Sequence, residues 1–213
     1  MSKGLLVVIS GPAGVGKGTV IGEILHVSDE YVYSVSATTR TNRPGEVHGK
    51  HYYFITRGEF EQRINDGEML EYAEYVGNFY GTPKKEVEQW LEEGHNVILE
   101  IEVEGALQVK RKFPECVLIF VLPPSIEELE ARLRGRGTED EQTIKRRLDR
   151  MRAEIKLIEH YEYSVLNEPG GFTRAAQAIM EIVASKRNED PDCQRANKHR
   201  MSREKAIEIQ SRF

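Results

Sequence analysis

Short apolar runs alternate with amphipathic segments along most of the chain. The runs lie at residues 5–10, 97–101 and 116–122, with a weaker one at 164–167. They are β-branched and almost continuously apolar, which is typical of strands covered on both faces of a parallel sheet. Helical spacing of apolar residues occupies the segments between them: 17–27, 84–93, 104–112, 125–133, 139–161 and 172–186. This alternation predicts an α/β fold with a parallel sheet and right-handed crossovers.

Residues 31–82 interrupt the alternation. The stretches YVYSVS, HYYFI and MLEYAEYV are aromatic-rich and alternate in polarity, and a short helix is expected near residues 58–66. This pattern predicts a small mixed β lobe inserted in the α/β core. Residues 188–213 are polar, and their helix-like end is predicted to be loosely docked or to form an oligomer contact.

The composition narrows the class of protein. The chain has 213 residues and a formal net charge of −5, which argues against nucleic-acid binding because proteins that bind phosphate backbones usually carry a basic face. Its apolar runs are too short for a membrane span or a secretory signal. The two cysteines and six histidines lack the spacing of a zinc site. We therefore expect a cytoplasmic protein with no membrane or nucleic-acid partner, in which any metal arrives with a ligand.

The segment SGPAGVGKGT has the spacing of a phosphate-binding loop. It follows a predicted buried strand and opens a predicted helix, and its glycines are Gly11, Gly14, Gly16 and Gly18. Backbone N–H groups and the helix N-terminus would point at a β-phosphate. Lys17 would supply a cation that can follow the transferred γ-phosphoryl group.

Gly18 stands where many such loops place a hydroxyl residue that binds Mg²⁺. A loop without this hydroxyl suits an enzyme whose metal is held by the nucleotide phosphates and water, with Thr19 as one candidate ligand. The D-x-x-G and N-K-x-D sequences of GTP-hydrolysing switches do not occur in the chain. The loop therefore favours a nucleotide-to-nucleotide phosphoryl transferase.

A second set of candidate ligand-binding residues lies in the aromatic segment. Arg40 and Arg43 flank a loop with a Pro-Gly turn, so two guanidinium groups could converge on one phosphate. Glu71 follows on a predicted strand, and Tyr80 and Thr82 lie in a glycine-bounded turn. The alternative interpretation is a solvated loop, a surface acid and a core aromatic residue.

A basic cluster lies between residues 132 and 152. It contains eight Lys or Arg residues against four acids. This excess of positive charge indicates an anionic ligand for some of the arginines, whereas the alternative is a charged helix with solvated i,i+4 pairs.

Together these motifs resemble those of the bacterial guanylate kinases, which are ATP:GMP phosphotransferases. Seven motifs occur in the family's order between about residues 4 and 187: GPAGVGKGT, SVSATTRTNRPGEVHGKHYYF, MLEYAEYVGNFYGT, VILEIEVEGA, VLPPS, RLRGRGTE and VLN. The resemblance implies a P-loop nucleoside monophosphate kinase fold with a parallel-sheet core, an inserted mixed-β GMP-binding lobe and a helical lid. The implied boundaries are residues 1–35, 83–124 and 161–187 for the core, 36–82 for the lobe, 125–160 for the lid and 188–213 for the tail.

The resemblance also implies a role for each matching residue. The implied ATP-binding residues are Gly11, Pro12, Ala13, Gly14, Val15, Gly16, Lys17, Gly18, Thr19, Arg132, Arg136 and Asn167. The implied GMP-binding residues are Ser36, Arg40, Arg43, Tyr52, Glu71, Tyr80, Gly81, Thr82 and Glu102. The implied catalytic residues are Lys17, Arg40, Arg136 and Arg147. Glu71 would accept N1–H and the exocyclic amine of guanine, and Thr82 would donate to guanine O6.

The expected cofactor is Mg²⁺ bound with ATP, and Thr19 and Glu100 are candidates to reach it through water. Glu102 stands where the family usually has aspartate, and could contact either the base or the shell of metal-bound water. The expected substrates are ATP and GMP, with dGMP as a further acceptor, and a homo-oligomer is possible. Two alternatives stay open: another nucleoside monophosphate kinase, or a guanylate-kinase-like binding module without catalysis.

Overall fold

The computed structural model describes residues 3–75, 77–135, 137, 140–188 and 194–213. The chain forms two compact units, and the first consists of Met1–Leu6 and Glu30–Cys116. The second consists of Val7–Asp29 and Val117–Phe213.

The strands within the described residues are short, as the apolar runs predict. In chain order they are β1 (Leu6–Ser10), β2 (Tyr31–Tyr33), β3 (Ala37–Thr38), β4 (Tyr53–Phe54), β5 (Met69–Tyr75), β6 (Asn78–Pro83), β7 (Asn96–Glu100), β8 (Val117–Leu122) and β9 (Tyr163–Leu166). The helices are α1 (Lys17–Val27), α2 (Arg57–Asn65), α3 (Lys84–Glu92), α4 (Val103–Lys112), α5 (Ile126–Gly135), α6 (Glu141–Ile155), α7 (Phe172–Arg187), α8 (Gln194–Asn197) and α9 (Arg203–Arg212), with a 3₁₀ turn at Ile158–His160.

The first unit contains a four-stranded mixed sheet. Its strand order is β4-β3-β6-β5, with β3 parallel to β4 and antiparallel to β6. Phe60 of α2 is fully buried against Ala37 and Met69, and it stacks on Phe79 at 5.2 Å between ring centroids. The small mixed sheet that the aromatic-rich segment predicts is therefore confirmed. In the same unit β2 and β7 pair in parallel.

The second unit contains parallel strands with β8 between β1 and β9. Ile9 lies opposite Ile119, and Ile119 lies opposite Tyr163. Every residue of β1 and β8 is buried, which explains their unbroken apolar sequences. Helices α1 and α7 pack against each other in this unit.

The C-terminal segment is docked on the second unit. The N–H of Ser164 donates to the carbonyl of His199 at 2.8 Å, and the N–H of Met201 donates to the carbonyl of Glu162 at 2.7 Å. Helix α9 then buries Ala206 and Ile209. Docking is one of the two outcomes that the sequence predicts for this segment, and the signal for it is weak because only two side chains of α9 are buried.

One helix is shorter than its sequence pattern predicts. The pattern extends over residues 139–161, whereas α6 ends at Ile155 and is followed by the 3₁₀ turn. The carboxylate of Asp140 caps α6 by accepting from the N–H of Thr143 at 2.7 Å, and the predicted start at residue 139 lies outside the described residues. None of the helices that the structure describes is long and apolar enough to cross a membrane.

Candidate active site

The predicted phosphate loop connects β1 to α1. Gly11, Gly14 and Gly16 all have positive φ values, a conformation that other residues rarely adopt. Gly16 is also the N-cap of α1, and a Cβ atom there would lie 2.7 Å from Nδ2 of Asn167. A buried strand, a glycine loop and a helix N-terminus thus follow one another in the order that a phosphate cradle requires.

Lys17 is the first residue of α1. Its ammonium group donates to the carbonyls of Gly11 at 2.6 Å and Pro12 at 3.4 Å, so the positive charge is held against the loop. Gly18 and Thr19 follow in the first turn, and both are exposed. Thr19 therefore presents at this helix end the hydroxyl that Gly18 lacks.

Arg132 of α5 and Asn167 after β9 converge on the same loop. The guanidinium of Arg132 donates to the carbonyls of Val15 at 3.2 Å and Asn167 at 3.0 Å, and it pairs with Glu128 at 2.8 Å. Nδ2 of Asn167 donates to the carbonyl of Val15 at 2.8 Å. The Oδ1 atom of Asn167 is buried without a hydrogen-bond partner among the described residues. Such an acceptor costs free energy unless a donor reaches it.

The two other predicted lid arginines are Arg136 and Arg147. Arg147 is half-buried on α6. Arg136 lies outside the described residues.

Arg40 is the centre of a second group of predicted residues, in the first unit. Its guanidinium carbon lies 5.5 Å from the ring centroid of Tyr52, and that ring lies 6.1 Å from the ring of Tyr80. Burial and the neighbouring Tyr80 raise the pKa of Tyr52, so its hydroxyl keeps its proton as a hydrogen-bond donor. The structure therefore brings Arg40, Tyr52 and Tyr80 together. Arg43 is exposed at the edge of the same loop.

Glu46 joins this group, although it is not among the predicted site residues. Its carboxylate accepts from Nη1 and Nη2 of Arg40 at 2.9 and 2.8 Å, and it accepts from the backbone N–H of Arg43 at 2.7 Å. The bonds to Arg40, and then that from Arg43, hold the pKa of Glu46 down at about 2. The signal in the sequence is an acid three and six residues after two arginines, in a loop with a turn.

Glu71 is a buried carboxylate on β5. Its exposed fraction is 4%, and Oε1 accepts from the hydroxyl of Thr82 at 2.7 Å. Burial raises the pKa of Glu71 to about 7, against the lowering effects of Thr82 and the positive charge of Lys112. Because a hydroxyl has one hydrogen, Thr82 can donate to guanine O6 only after it gives up this bond. Glu71 and Thr82 are opposite each other in the pairing of β5 and β6.

The remaining predicted residues of this unit lie in or beside strands β3, β6 and β7 and at the start of α4. The carbonyl of Ser36 accepts from Tyr53 at 2.9 Å. Gly81 lies within β6, where a Cβ atom would be 2.6 Å from the carbonyl oxygen of Glu71. Glu100 ends β7 and is half-buried, whereas Glu102 is the exposed N-cap of α4.

Known proteins resemble this chain over most of its length. The family model described as guanylate kinase matches residues 3–186. A guanylate kinase of Lactococcus lactis is 54% identical over 181 residues, which cover 85% of this chain and 87% of that protein. One of Streptococcus thermophilus is 58% identical over 182 residues, which cover 85% and 86%. A crystal structure of guanylate kinase from Anaplasma phagocytophilum has a TM-score of 0.71 at 32% identity and covers 100% of this chain and 97% of that chain, which confirms the predicted fold. This chain belongs to the guanylate kinase family.

Proposed function

We propose that the chain transfers the γ-phosphoryl group of ATP to GMP, giving ADP and GDP. The observation that carries this proposal is the buried carboxylate of Glu71, paired with Thr82 in the same unit as the Arg40 group. Guanine presents N1–H and an exocyclic amine side by side, and a carboxylate accepts both, whereas adenine lacks this pair of donors. A buried acceptor without those donors stays unsatisfied, which is how the site rejects other bases.

The phosphate loop, Arg132 and Asn167 bind ATP in this proposal. Backbone N–H groups at the start of α1 hold the β-phosphate. The ammonium of Lys17 moves from the carbonyls of Gly11 and Pro12 to the phosphate oxygens, because a charge-assisted bond to an anion is stronger than one to a neutral carbonyl. Oδ1 of Asn167 accepts a hydrogen bond from a donor group of the adenine end of ATP.

Arg40, Arg43, Tyr52 and Tyr80 bind the phosphate of GMP, with Ser36 nearby. Glu71 and Thr82 then read the base. When the two guanine donors engage Glu71, the hydroxyl of Thr82 is free to turn toward O6, so one hydroxyl serves the site in both states. Glu102, at the start of α4, is proposed to contribute to the GMP-binding site.

Little covalent chemistry is required of the protein in this reaction. The phosphate of GMP is already anionic near neutral pH, so its oxygen can attack the γ-phosphorus in line without a strong base. Lys17 and the arginines offset the charge that spreads over the transferred group. Arg132, Arg136 and Arg147 are proposed to close over the ATP phosphates and exclude water, which would otherwise hydrolyse ATP.

Magnesium is the proposed cofactor. Thr19 offers a hydroxyl and Glu100 a carboxylate, both of which are hard oxygen donors that suit Mg²⁺ directly or through water. When bound, the metal supplies positive charge that neutralises the ATP phosphates.

Product analysis tests the proposed activity. The chain is incubated with ATP, MgCl₂ and GMP, and the nucleotides are separated by anion-exchange chromatography. We expect ADP and GDP in equal amounts. ADP without GDP would mean hydrolysis, and GMP binding without GDP would identify a binding module; either result would overturn the proposal.

The buried carboxylate makes GMP recognition sensitive to pH. Glu71 accepts the guanine donors only when it is ionised, and its pKa is raised to about 7. We therefore expect kcat/KM for GMP to be highest above pH 7 and to fall as the pH is lowered through it. Initial rates over about pH 5.5 to 9 measure this profile. A profile in Glu71→Gln with the same midpoint would assign the titration to another group, such as the GMP phosphate.

Glu46 is expected to prepare Arg40 for the phosphate. Glu46→Ala removes the two bonds that fix the guanidinium and the bond to Arg43, so we expect KM for GMP to rise about tenfold with little change in kcat. Steady-state kinetics measure both constants. Glu61→Ala is the matched control because it breaks an exposed pair with Arg57 in the same unit. A lower KM in Glu46→Ala would show that Glu46 competes with the phosphate instead.

A further inference from the structure

One face of α4 lies against β5 beside the buried carboxylate of Glu71, the proposed reader of the base. Gly105, Gln108 and Lys112 lie at positions i, i+3 and i+7 of α4, so they form one stripe along the helix. We call these three residues the α4 stripe. Each of the three residues either lies next to Glu71 or forms hydrogen bonds with the backbone beside Glu71 in β5.

Gly105 leaves the space in which the carboxylate of Glu71 lies. A Cβ atom at this position would be 2.5 Å from Oε2 and 3.2 Å from the carboxyl carbon of Glu71. Glycine inside a helix is less favourable than alanine by about 1 kcal/mol, and Gly105 does not have a positive φ value. The close approach of Glu71 is therefore the physical reason for a glycine here.

Gln108 holds the backbone directly after Glu71. Its side-chain amide donates to the carbonyl of Tyr72 at 2.9 Å and accepts from the N–H of Tyr72 at 3.3 Å. Strand β5 is at the end of the mixed sheet, so this amide takes the place of a neighbouring strand at that residue.

Lys112 holds the backbone directly before Glu71. Its ammonium donates to the carbonyls of Leu70 at 2.7 Å and Met69 at 3.3 Å. Its charge also favours the ionised form of Glu71, opposing the effect of burial on the pKa of that group. Among the described residues, Thr82 on β6 and Lys112 on α4 counteract the effect of burial on the pKa of this carboxyl group.

We propose that the α4 stripe is a set of positioning residues that determines guanine selectivity, with Gly105 giving Glu71 its room and Gln108 and Lys112 fixing β5 on either side of it. The inference rests on the proposed function, because it takes Glu71 as the reader of guanine. On this inference, guanine selectivity depends on three residues of α4 that do not themselves form a hydrogen bond with the base.

Gly105→Ala tests the positional part. The new methyl group displaces the carboxylate, and misplacement of a binding group by about 1 Å can cost a factor of up to about 10². We expect the ratio of kcat/KM for GMP to that for IMP, which lacks the exocyclic amine, to fall at least about tenfold. Gly58→Ala is the matched control, since Gly58 is a helical glycine of the same unit and a methyl group added there would enter open space. A Gly105→Ala protein with an unchanged ratio would overturn the inference.

Lys112→Met tests the effect of the Lys112 charge on Glu71. Its result does not depend on whether Gly105→Ala folds. Loss of the positive charge disfavours ionised Glu71, so we expect the midpoint of the pH profile of kcat/KM for GMP to move to higher pH. Arg111→Met, which removes an exposed charge from the preceding position of α4, should leave the midpoint in place. Gln108→Leu should lower the GMP to IMP ratio without moving the midpoint. Equal midpoints in Lys112→Met and Arg111→Met would contradict a role for Lys112.

The same experiments separate this inference from the proposed function. If Glu71 does not read guanine, Glu71→Gln retains the wild-type GMP to IMP ratio, and the proposed base reader fails. If Glu71→Gln loses the ratio while Gly105→Ala and Gln108→Leu retain it, the α4 stripe fails alone.

Discussion

Replacing Lys17 by alanine is expected to abolish phosphoryl transfer while GMP binding survives. The ammonium group is held against the phosphate loop, and in the proposed mechanism it offsets charge that develops on the transferred group. Removal of one such preorganised donor costs about 10² to 10³ in kcat, and loss of a full charge at a phosphoryl group costs on the order of 10³ to 10⁵. Coupled ADP release measures kcat, and calorimetry measures GMP affinity.

Lys85→Ala is the control for Lys17→Ala. Lys85 is an exposed lysine near the start of α3, so its loss should change neither constant. Thermal unfolding of both variants shows whether the fold is kept. A Lys17→Ala protein with wild-type turnover would reject the role of the lysine, and one that is folded but cannot bind GMP would place the lysine in the acceptor site.

Replacing Glu71 by glutamine is expected to remove guanine selectivity. The amide keeps the shape of the carboxylate and an oxygen for the hydroxyl of Thr82, but it offers one acceptor where guanine presents two adjacent donors. Sites built on such buried hydrogen bonds discriminate by factors of about 10⁴ to 10⁵. We therefore expect the ratio of kcat/KM for GMP to that for AMP to fall by at least about 10².

Glu71→Gln should still fold, because it replaces a buried acid with a raised pKa by a neutral group of equal size. Glu74→Gln is the matched control, since Glu74 is exposed farther along the same strand. Kinetics with GMP and AMP compare the two proteins. A Glu71→Gln protein that still prefers GMP as strongly as the wild type would show that the base is read elsewhere.

Much of the fold follows from local pattern. Strands β1 and β8 are buried throughout, so their continuous apolar runs identify them. Helix α1 begins and ends as predicted because the glycine loop fixes its start. Strand β4 has two residues, fewer than the predicted run HYYFI. It is short because it pairs with β3, which also has two residues, and the alternation of aromatic residues in the sequence does not show this pairing.

The sequence predicts those parts of the candidate site that lie in a local motif. Lys17 and the glycines are recognisable because consecutive backbone groups build the loop. Glu46 is not among the predicted residues although it follows Arg40 by six positions, because an acid in a loop does not show which side chain it binds. The α4 stripe is not predicted because the contact of Glu71 with α4 spans 34 or more positions. Such distant contacts leave no local periodicity, so only the folded structure brings them together.

This chain is expected to phosphorylate GMP in preference to other nucleoside monophosphates. The most direct test measures ADP release by the wild-type chain with ATP and MgCl₂ and, in turn, GMP, AMP and UMP as acceptor. We predict that kcat/KM for GMP exceeds that for AMP and UMP by at least about 10³, because guanine is the one of these three bases that offers two adjacent donors to the carboxylate proposed to read it. Comparable turnover with AMP or UMP would show that the chain does not select guanine.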